Sequence, residues 1–321
     1  MAASWVEAVV TGREMTTSRV VVLDLEPADG TLFPEHTAGA HIDVLCGPPG
    51  ARDAPVRQYS LCGPPGDRAR YRIAVLLDQR SRGGSLAVHG FHTGDRVRVS
   101  APRSAFRLTE ARRHVLFAGG IGITPLWAMA QHLDKTGGQY ALHYCARSAA
   151  DVAFADRLGA HPRVTVHLDD GPGTQRLDLR RDLGNPVVGT AVYVCGPGPF
   201  MDHVLDIAAT LGWPQDTLHT ERFVPAAPTG AEPGDGFTVR LATSGHTYHV
   251  APHESILDVL LRNGVDAPHS CQLGICGECV VQVRAGDPDH RDDILTDDER
   301  ARGLFTLCCS RARGPSIELA L

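Results

Sequence analysis

Nine cysteines are spread unevenly along the chain: Cys46, Cys62, Cys145 and Cys195 stand singly, whereas Cys271, Cys276, Cys279, Cys308 and Cys309 crowd together beyond residue 270. The run Cys271-Gln-Leu-Gly-Ile-Cys276-Gly-Glu-Cys279, completed by a cysteine further on, has the C-x4-C-x2-C…C spacing of a loop that holds a [2Fe–2S] cluster. Three thiolates around one small cluster need tight turns, and Gly274 and Gly277 permit positive φ angles while leaving backbone N–H groups to bond the sulfurs. A zinc site would instead show two separate C-x2–4-C pairs. The fourth ligand falls on Cys308 or Cys309. If Leu304–Ser310 is extended, the two side chains point to opposite faces and only one can serve.

A second chemistry is written in glycine. Val115-Leu-Phe-Ala-Gly119-Gly120-Ile-Gly122-Ile123-Thr124-Pro125 places a glycine turn between an apolar strand and a helix. Thr124 reads as the helix N-cap and Pro125 as its first residue, so free N–H groups and a positive dipole end are available to a pyrophosphate. As a dinucleotide fingerprint it is incomplete, because no third glycine completes G-x-G-x-x-G. Val192-Tyr-Val-Cys195-Gly196-Pro197-Gly-Pro-Phe200-Met201 repeats a glycine break at a strand end, where open α/β sheets bind ligands. Arg147 and Ser148 end the intervening strand, where an adenosine ribose would lie. Earlier, Arg82-Gly83-Gly84-Ser85 opens a helix whose N–H groups and hydroxyl could take a phosphate.

The elements that must position these groups fall into three blocks. Residues 1–105 read as an antiparallel β-barrel, with strands at Ser18–Leu25, His41–Leu45, Tyr71–Leu77 and Arg96–Ser100 separated by Gly/Pro turns. Residues 106–224 alternate strand and helix as in a parallel α/β domain: strands Val115–Ala118, Tyr140–Cys145, Arg163–Leu168 and Val192–Cys195, helices Pro125–Leu133 and Phe200–Leu211. Residues 225–236, rich in Pro, Gly and Ala, read as a linker. Residues 237–321 form an α+β domain, opening with strands Phe237–Ala242 and Thr247–Val250 and a helix over Ser255–Asn263.

Ser270–Cys279, His290-Arg291-Asp292 and Cys308-Cys309-Ser310-Arg311-Ala312 together resemble the ferredoxin domain of the phthalate dioxygenase reductase and vanillate O-demethylase reductase family, and the likeness extends through all three blocks in order. The resemblance implies a flavin barrel, a ferredoxin-reductase-like NAD domain and a C-terminal β-grasp ferredoxin domain. It matches Gly119–Pro125 to that family's GGIGITP signature and Cys195-Gly196-Pro197 to the motif beside the nicotinamide. It makes Cys195, Thr124 and Phe223 the residues at the hydride-transfer site, with Phe223 on the flavin face. Arg57-Gln58-Tyr59-Ser60 resembles the R-x-Y-S flavin motif: Arg57 would fork a phosphate, with Tyr59 and Ser60 against ring and ribityl chain. The family also places Ile73, Ala74 and Val75 at the ring's edge and the flavin phosphate at Gly83, Gly84 and Ser85. It implies FMN over FAD, NADH over NADPH, and Cys308 as the fourth cluster ligand beside Cys271, Cys276 and Cys279.

The electron count agrees with this wiring. A nicotinamide gives up two electrons as hydride and a [2Fe–2S] cluster accepts one at a time, so a carrier stable in three redox states must stand between, and a flavin fits. The expected activity is electron transfer to a terminal Rieske-type oxygenase or O-demethylase. The same wiring could serve a haem-thiolate monooxygenase, and a redox sensor without turnover or a zinc-stabilised binding module are the readings from other classes. A net charge of −6 disfavours nucleic acid and anionic membranes. Without a signal segment or an apolar stretch long enough to span a bilayer, the chain is expected in the cytoplasm as a monomer. The sixteen histidines, His89/His92 and His249/His253 included, are read as surface or packing residues. The acidic run Asp287–Glu299 is read as a solvated face or a docking surface for a basic partner, since residues 237–321 carry 12 acidic against 8 basic side chains.

Overall fold

The structure is a computed structural model that describes residues 5–47, 54–78, 83–104, 106–223, 236–252, 254–269, 274, 277–292 and 294–321. The chain forms two compact units, Met1–Glu221 and Arg222–Leu321. Apart from Gly236, the linker expected at residues 225–236 lies outside the described residues.

The first unit opens with six antiparallel strands: β1 (Trp5–Met15), β2 (Val20–Pro27), β3 (His41–Leu45), β4 (Val56–Ser60), β5 (Tyr71–Leu76) and β6 (Arg96–Ser100). Their order is β4-β3-β6-β1-β2-β5, and a bridge between Leu61 and Ile73 joins the two ends, so the sheet closes on itself and no long edge is left. Alternation supplies the interior: in β6 Val97 and Val99 are buried between exposed Arg96 and Arg98. With Leu23, Leu25, Ile42, Val44, Ile73 and Val75 they build a core in which each buried aliphatic side chain contributes about 1.5–3 kcal/mol. A short helix, α1 (Gly84–His89), lies between β5 and β6 in sequence.

The same unit continues with β7 (Arg113–Gly119), α2 (Ile123–Thr136), β8 (Tyr140–Ala146), α3 (Ala155–Leu158), β9 (Val164–Leu168), α4 (Leu179–Asp182), β10 (Thr190–Cys195), α5 (Gly198–Thr210) and β11 (Leu218–Glu221). These strands form a parallel sheet in the order β11-β10-β7-β8-β9. Every residue of β10 is buried, as expected of a strand covered on both faces. The chain leaves β7 towards β8 on one side while β10 lies on the other. The crevice beyond the ends of β7 and β10 is therefore a topological switch point, where ligands bind in sheets of this kind.

The second unit holds β12 (Phe237–Leu241), β13 (Thr247–Val250), α6 (Ile256–Arg262), β14 (Val280–Asp289), α7 (Asp297–Ala301), β15 (Leu304–Thr306) and β16 (Arg311–Leu319). The sheet order is β13-β12-β16-β14-β15, with the first and last strands, β12 and β16, paired in parallel. The Ser255 hydroxyl caps α6 by accepting from the Asp258 N–H, and the helix buries Ile256, Leu257, Val259 and Leu260 in the sheet's core. This is a β-grasp arrangement, so the three expected architectures are present. Among the described residues no helix is long and apolar enough to cross a membrane.

Candidate functional site

The two glycine turns meet backbone to backbone. A Cβ placed on Gly122 would lie 2.2 Å from the Cys195 carbonyl oxygen and 2.7 Å from the Gly196 nitrogen. One on Gly119 would stand 2.8 Å from the Phe200 ring and 3.0 Å from Pro197, and one on Gly196 would meet Gly119 itself at 3.0 Å. Only hydrogen fits in these gaps, so β7 and β10 end in a single packed seam. Gly120, by contrast, has nothing within 4 Å of where its side chain would be, and that side of the turn is open to a ligand.

Helix α2 starts earlier than the sequence suggests. Thr124 and Pro125 are expected as N-cap and first helical residue, yet the cap is Gly122, without a side-chain bond, and Thr124 and Pro125 are the second and third residues of α2. The cause is a 3-10 turn at Gly120–Gly122, which brings the chain into helical geometry before the threonine. Thr124 is buried and its hydroxyl donates to the Ile121 carbonyl at 3.0 Å. Pro125 still sits in the first turn, where its missing N–H leaves no bond unmade. Ile123 and Met201 are fully buried; Met201 belongs to the core beneath the sheet and Phe200 packs against it.

Cys195 is fully buried, and burial, with the Glu221 carboxylate beside it, pushes its thiol well above the ordinary range. Glu221 is the residue the sequence reading missed. It pairs in register with Cys195 across β10 and β11, its Oε2 is enclosed with no hydrogen-bond partner among the described residues, and burial raises its pKa to about 8. Burial thus favours the protonated carboxyl, which can act as a donor. A glutamate closing a short strand carries no local sequence signal of this.

In the barrel, the Arg57 side chain lies across the start of α1: a Cβ on Gly84 would be 2.4 Å from Arg57 Cγ. The arginine of the first phosphate candidate and the glycines of the second are thus brought together. Gly83 caps α1 at φ 92°, and Arg82 lies outside the described residues. The Ser85 hydroxyl accepts from the Asp78 N–H at 3.1 Å, which leaves its own proton to donate. Tyr59 and Cys46 share a hydrogen bond, burial raises both groups, and Gln58 flanks them half-buried. Ser60, Ile73, Ala74 and Val75 are buried, and the Val75 carbonyl is bonded by His89 Nε2 at 2.9 Å. Arg147 is exposed, while the Ser148 hydroxyl donates to Asp151 at 2.7 Å. Phe223, half-buried, belongs to the second unit.

In that second unit Cys271 and Cys276 lie outside the described residues, as does His253. Gly274 and Gly277 have φ of 74° and 76°, the left-handed turns expected of the loop. The Cys279 and Cys308 sulfurs stand 3.3 Å apart, close to the ~3.7 Å between two thiolates on one tetrahedral metal with bonds of about 2.3 Å. The segment Leu304–Ser310 is not extended as assumed: β15 ends at Thr306 and residues 307–309 turn, closed by the Ser310 N–H on the Thr306 carbonyl at 3.3 Å. Both cysteines lie in this turn, with their side chains close enough to perturb each other. Cys309 Sγ faces Thr306 Oγ1 at 3.2 Å and rests on Gly274.

Asp292 is also not part of a solvated acidic face. Its side chain is fully enclosed, accepting from the Thr306 and Ser310 hydroxyls at 3.3 Å each and from the Leu295 N–H at 2.9 Å. Asp297, Asp298 and Glu299 form the first turn of α7, whose capping box with Thr296 uses Glu299.

Comparison with known proteins agrees with this geometry. Residues 239–313 match the 2Fe-2S iron-sulfur cluster binding domain, and residues 100–218 match the dimethylamine monooxygenase subunit DmmA-like N-terminal domain. A vanillate O-demethylase oxidoreductase of Pseudomonas sp. is 43% identical over 98% of this chain and 100% of its own. The chain belongs to this family of oxygenase reductases. The solved phthalate dioxygenase reductase superposes with a TM-score of 0.78 at 34% identity, covering 99% of this chain and 98% of that one. An intact type IV self-sufficient cytochrome P450 monooxygenase matches with a TM-score of 0.80 at 41% identity, over 99% of this chain and 41% of the other. The protein is an oxidoreductase with a 2Fe-2S domain and a flavin- and NAD-binding fold, built as the reductase component of an oxygenase system.

Proposed function

We propose that the chain oxidises NADH, holds FMN, and passes electrons singly through a [2Fe–2S] cluster to a Rieske-type oxygenase or O-demethylase that it meets transiently, as a cytoplasmic monomer. The observation that carries the reading is the seam between Gly122 and Cys195 at the sheet's switch point, with the open face of Gly120 beside it. When bound, the flavin supplies the three redox states that turn one hydride into two single-electron transfers, and the cluster accepts them one at a time.

The chain's own residues do the rest. Arg57 presents a bidentate fork to the FMN phosphate, and Gly83, Gly84 and the Ser85 hydroxyl complete the cradle. Tyr59 and Ser60 flank the ring and ribityl chain, and Ile73–Val75 border the ring's edge. Gly119–Gly122 and the start of α2, with Ile123–Pro125, receive the nucleotide pyrophosphate. Arg147 and Ser148 reach its adenosine ribose, and Pro197, Phe200 and Met201 shape the nicotinamide pocket. Cys195 stays an uncharged thiol beside the nicotinamide, and burial favours the protonated form of Glu221, which can offer a hydrogen bond. Cys271, Cys276, Cys279 and Cys308 hold the cluster as thiolates.

A haem-thiolate monooxygenase is the second reading of the partner, since a self-sufficient P450 carries a region similar to the whole of this chain. Reconstitution decides between them. With purified candidates and NADH, product is expected from the Rieske-type enzyme; turnover of the P450 alone would select the second reading. Mass analysis of the released flavin is expected to give FMN, and stoichiometric FAD would overturn that assignment. A kcat/KM favouring NADPH would overturn NADH and move weight to Arg147 as a 2′-phosphate ligand.

A further inference from the structure

Away from the seam, the parallel sheet carries two buried histidines that converge on a carboxylate. His143 lies in β8 and His167 in the edge strand β9; His167 is registered against Cys145, two residues beyond His143, so both imidazoles project from the same face. Their rings are nearly parallel at 23°, and His143 Nδ1 stands 3.0 Å from His167 Nε2. Asp182 ends α4, and the His143, His167 and Asp182 donor atoms all lie within 4.8 Å of one another. His143 and His167 are 8% and 3% exposed.

We propose that His143, His167 and Asp182 form a site for one divalent transition-metal ion of the zinc class. Two imidazole nitrogens on one metal, at bonds of about 2.0–2.1 Å, stand ~2.9 Å apart at a right angle and ~3.4 Å apart at the tetrahedral angle. The observed 3.0 Å falls inside that range. Two imidazoles and one carboxylate suit zinc, cobalt or nickel and not magnesium or calcium, which take oxygen donors.

The surroundings orient Asp182 and His143. Asp182 accepts a fork from Arg181 at 2.7 and 2.8 Å and the Asp178 N–H at 3.0 Å. His143 is backed by the Phe117 ring at 5.0 Å. Such supporting contacts fix the ligands of a metal site. Both imidazoles must be neutral to bind, and burial holds them so, lowering His143 to about 4 and His167 below its ordinary value. Asp182, despite partial burial, is kept below the usual carboxylate range by Arg181 and the Asp178 N–H.

An ion held between β8 and β9 would lie two to three strand spacings of about 4.8 Å, ~10–14 Å, from the strand of Cys195. It would clamp β8, β9 and α4 and take no part in hydride transfer. The proposal does not rest on the functional reading above.

Holoprotein stripped of loosely held metal on a chelating resin, with its cluster absorbance intact, is titrated with Zn²⁺, desalted and analysed for zinc and iron. One zinc per chain is expected in the wild type, with unchanged iron. His167→Gln and Asp182→Asn should each bind zinc at least tenfold more weakly while keeping the flavin and cluster spectra. Should His167→Gln fail to fold, Asp182→Asn and the zinc-dependent rise in wild-type melting temperature carry the test. No zinc in the wild type, zinc that displaces iron, or equal binding by the folded variants would overturn the site.

Discussion

Gly122 and Gly277 both stand at the mouth of a candidate cofactor site, and each is a glycine for a different reason. Gly122 has an ordinary helical φ of −60°, but a Cβ there would press 2.2 Å from the Cys195 carbonyl. Gly277 has the space, with nothing closer than 3.7 Å, but holds φ at +76°. In the nucleotide-binding region two backbones must touch; in the cluster loop one backbone must turn. Close approach cannot be relaxed without moving β7 from β10, whereas a left-handed turn costs a side chain roughly 1–2 kcal/mol. The parallel sheet should therefore be brittle to substitution where the cysteine loop is tolerant, unless a sulfur itself is removed.

That exception gives the largest expected effect. Cys308→Ala should lose the cluster's visible absorbance and its reduced-state EPR signal, while NADH still reduces the flavin. Cys309→Ala should keep both signals, because Cys308 is the one of the two whose sulfur stands 3.3 Å from that of Cys279. The reverse result for the pair would move the ligand by one residue.

The two glycines come next. Gly122→Ala should destabilise the first unit by about 1–3 kcal/mol and slow flavin reduction by NADH at least tenfold, read by melting and stopped-flow absorbance with cluster content unchanged. Gly277→Ala should cost about 1–2 kcal/mol, seen as faster cluster loss on warming, with hydride transfer untouched. Equal effects on hydride transfer would erase the contrast.

A separate, pH-dependent effect concerns Glu221. Its folded pKa is raised to about 8 from 4.5, so between those values the folded state keeps a proton that the unfolded chain has lost, and stability falls as pH rises through that window. Glu221→Gln is always neutral. The variant's melting temperature should exceed that of the wild type by a margin that grows from about pH 5 to about pH 8, and a margin that shrinks would mean the carboxylate has a partner.

What the sequence shows and what it hides follows from the range of each signal. Strands His41–Leu45, Arg96–Ser100 and Thr247–Val250 were legible to the residue, because alternation ends at a turn in each. The cysteine spacing and both glycine turns were legible because their chemistry is local. Strand β16, Arg311–Leu319, contains Gly314 and Pro315 and few apolar positions, so nothing announced it until its partners β12 and β14 were in place. The cap of α2 was read two residues late because a 3-10 turn has no distinct pattern. Glu221, the enclosed Asp292 and the His143–His167 pair depend on partners brought together only by the fold; residue type alone suggests a solvated face for Asp292 and surface or packing for the histidines, and says nothing of Glu221.

The claim that a flavin stands between nicotinamide and cluster is tested most directly by anaerobic rapid mixing of the holoprotein with NADH, following flavin and cluster absorbance separately in wild type and Cys308→Ala. The expected result is flavin bleaching followed by cluster bleaching in the wild type, and flavin bleaching alone in the variant. Cluster reduction in the wild type while the flavin stays oxidised would contradict the account.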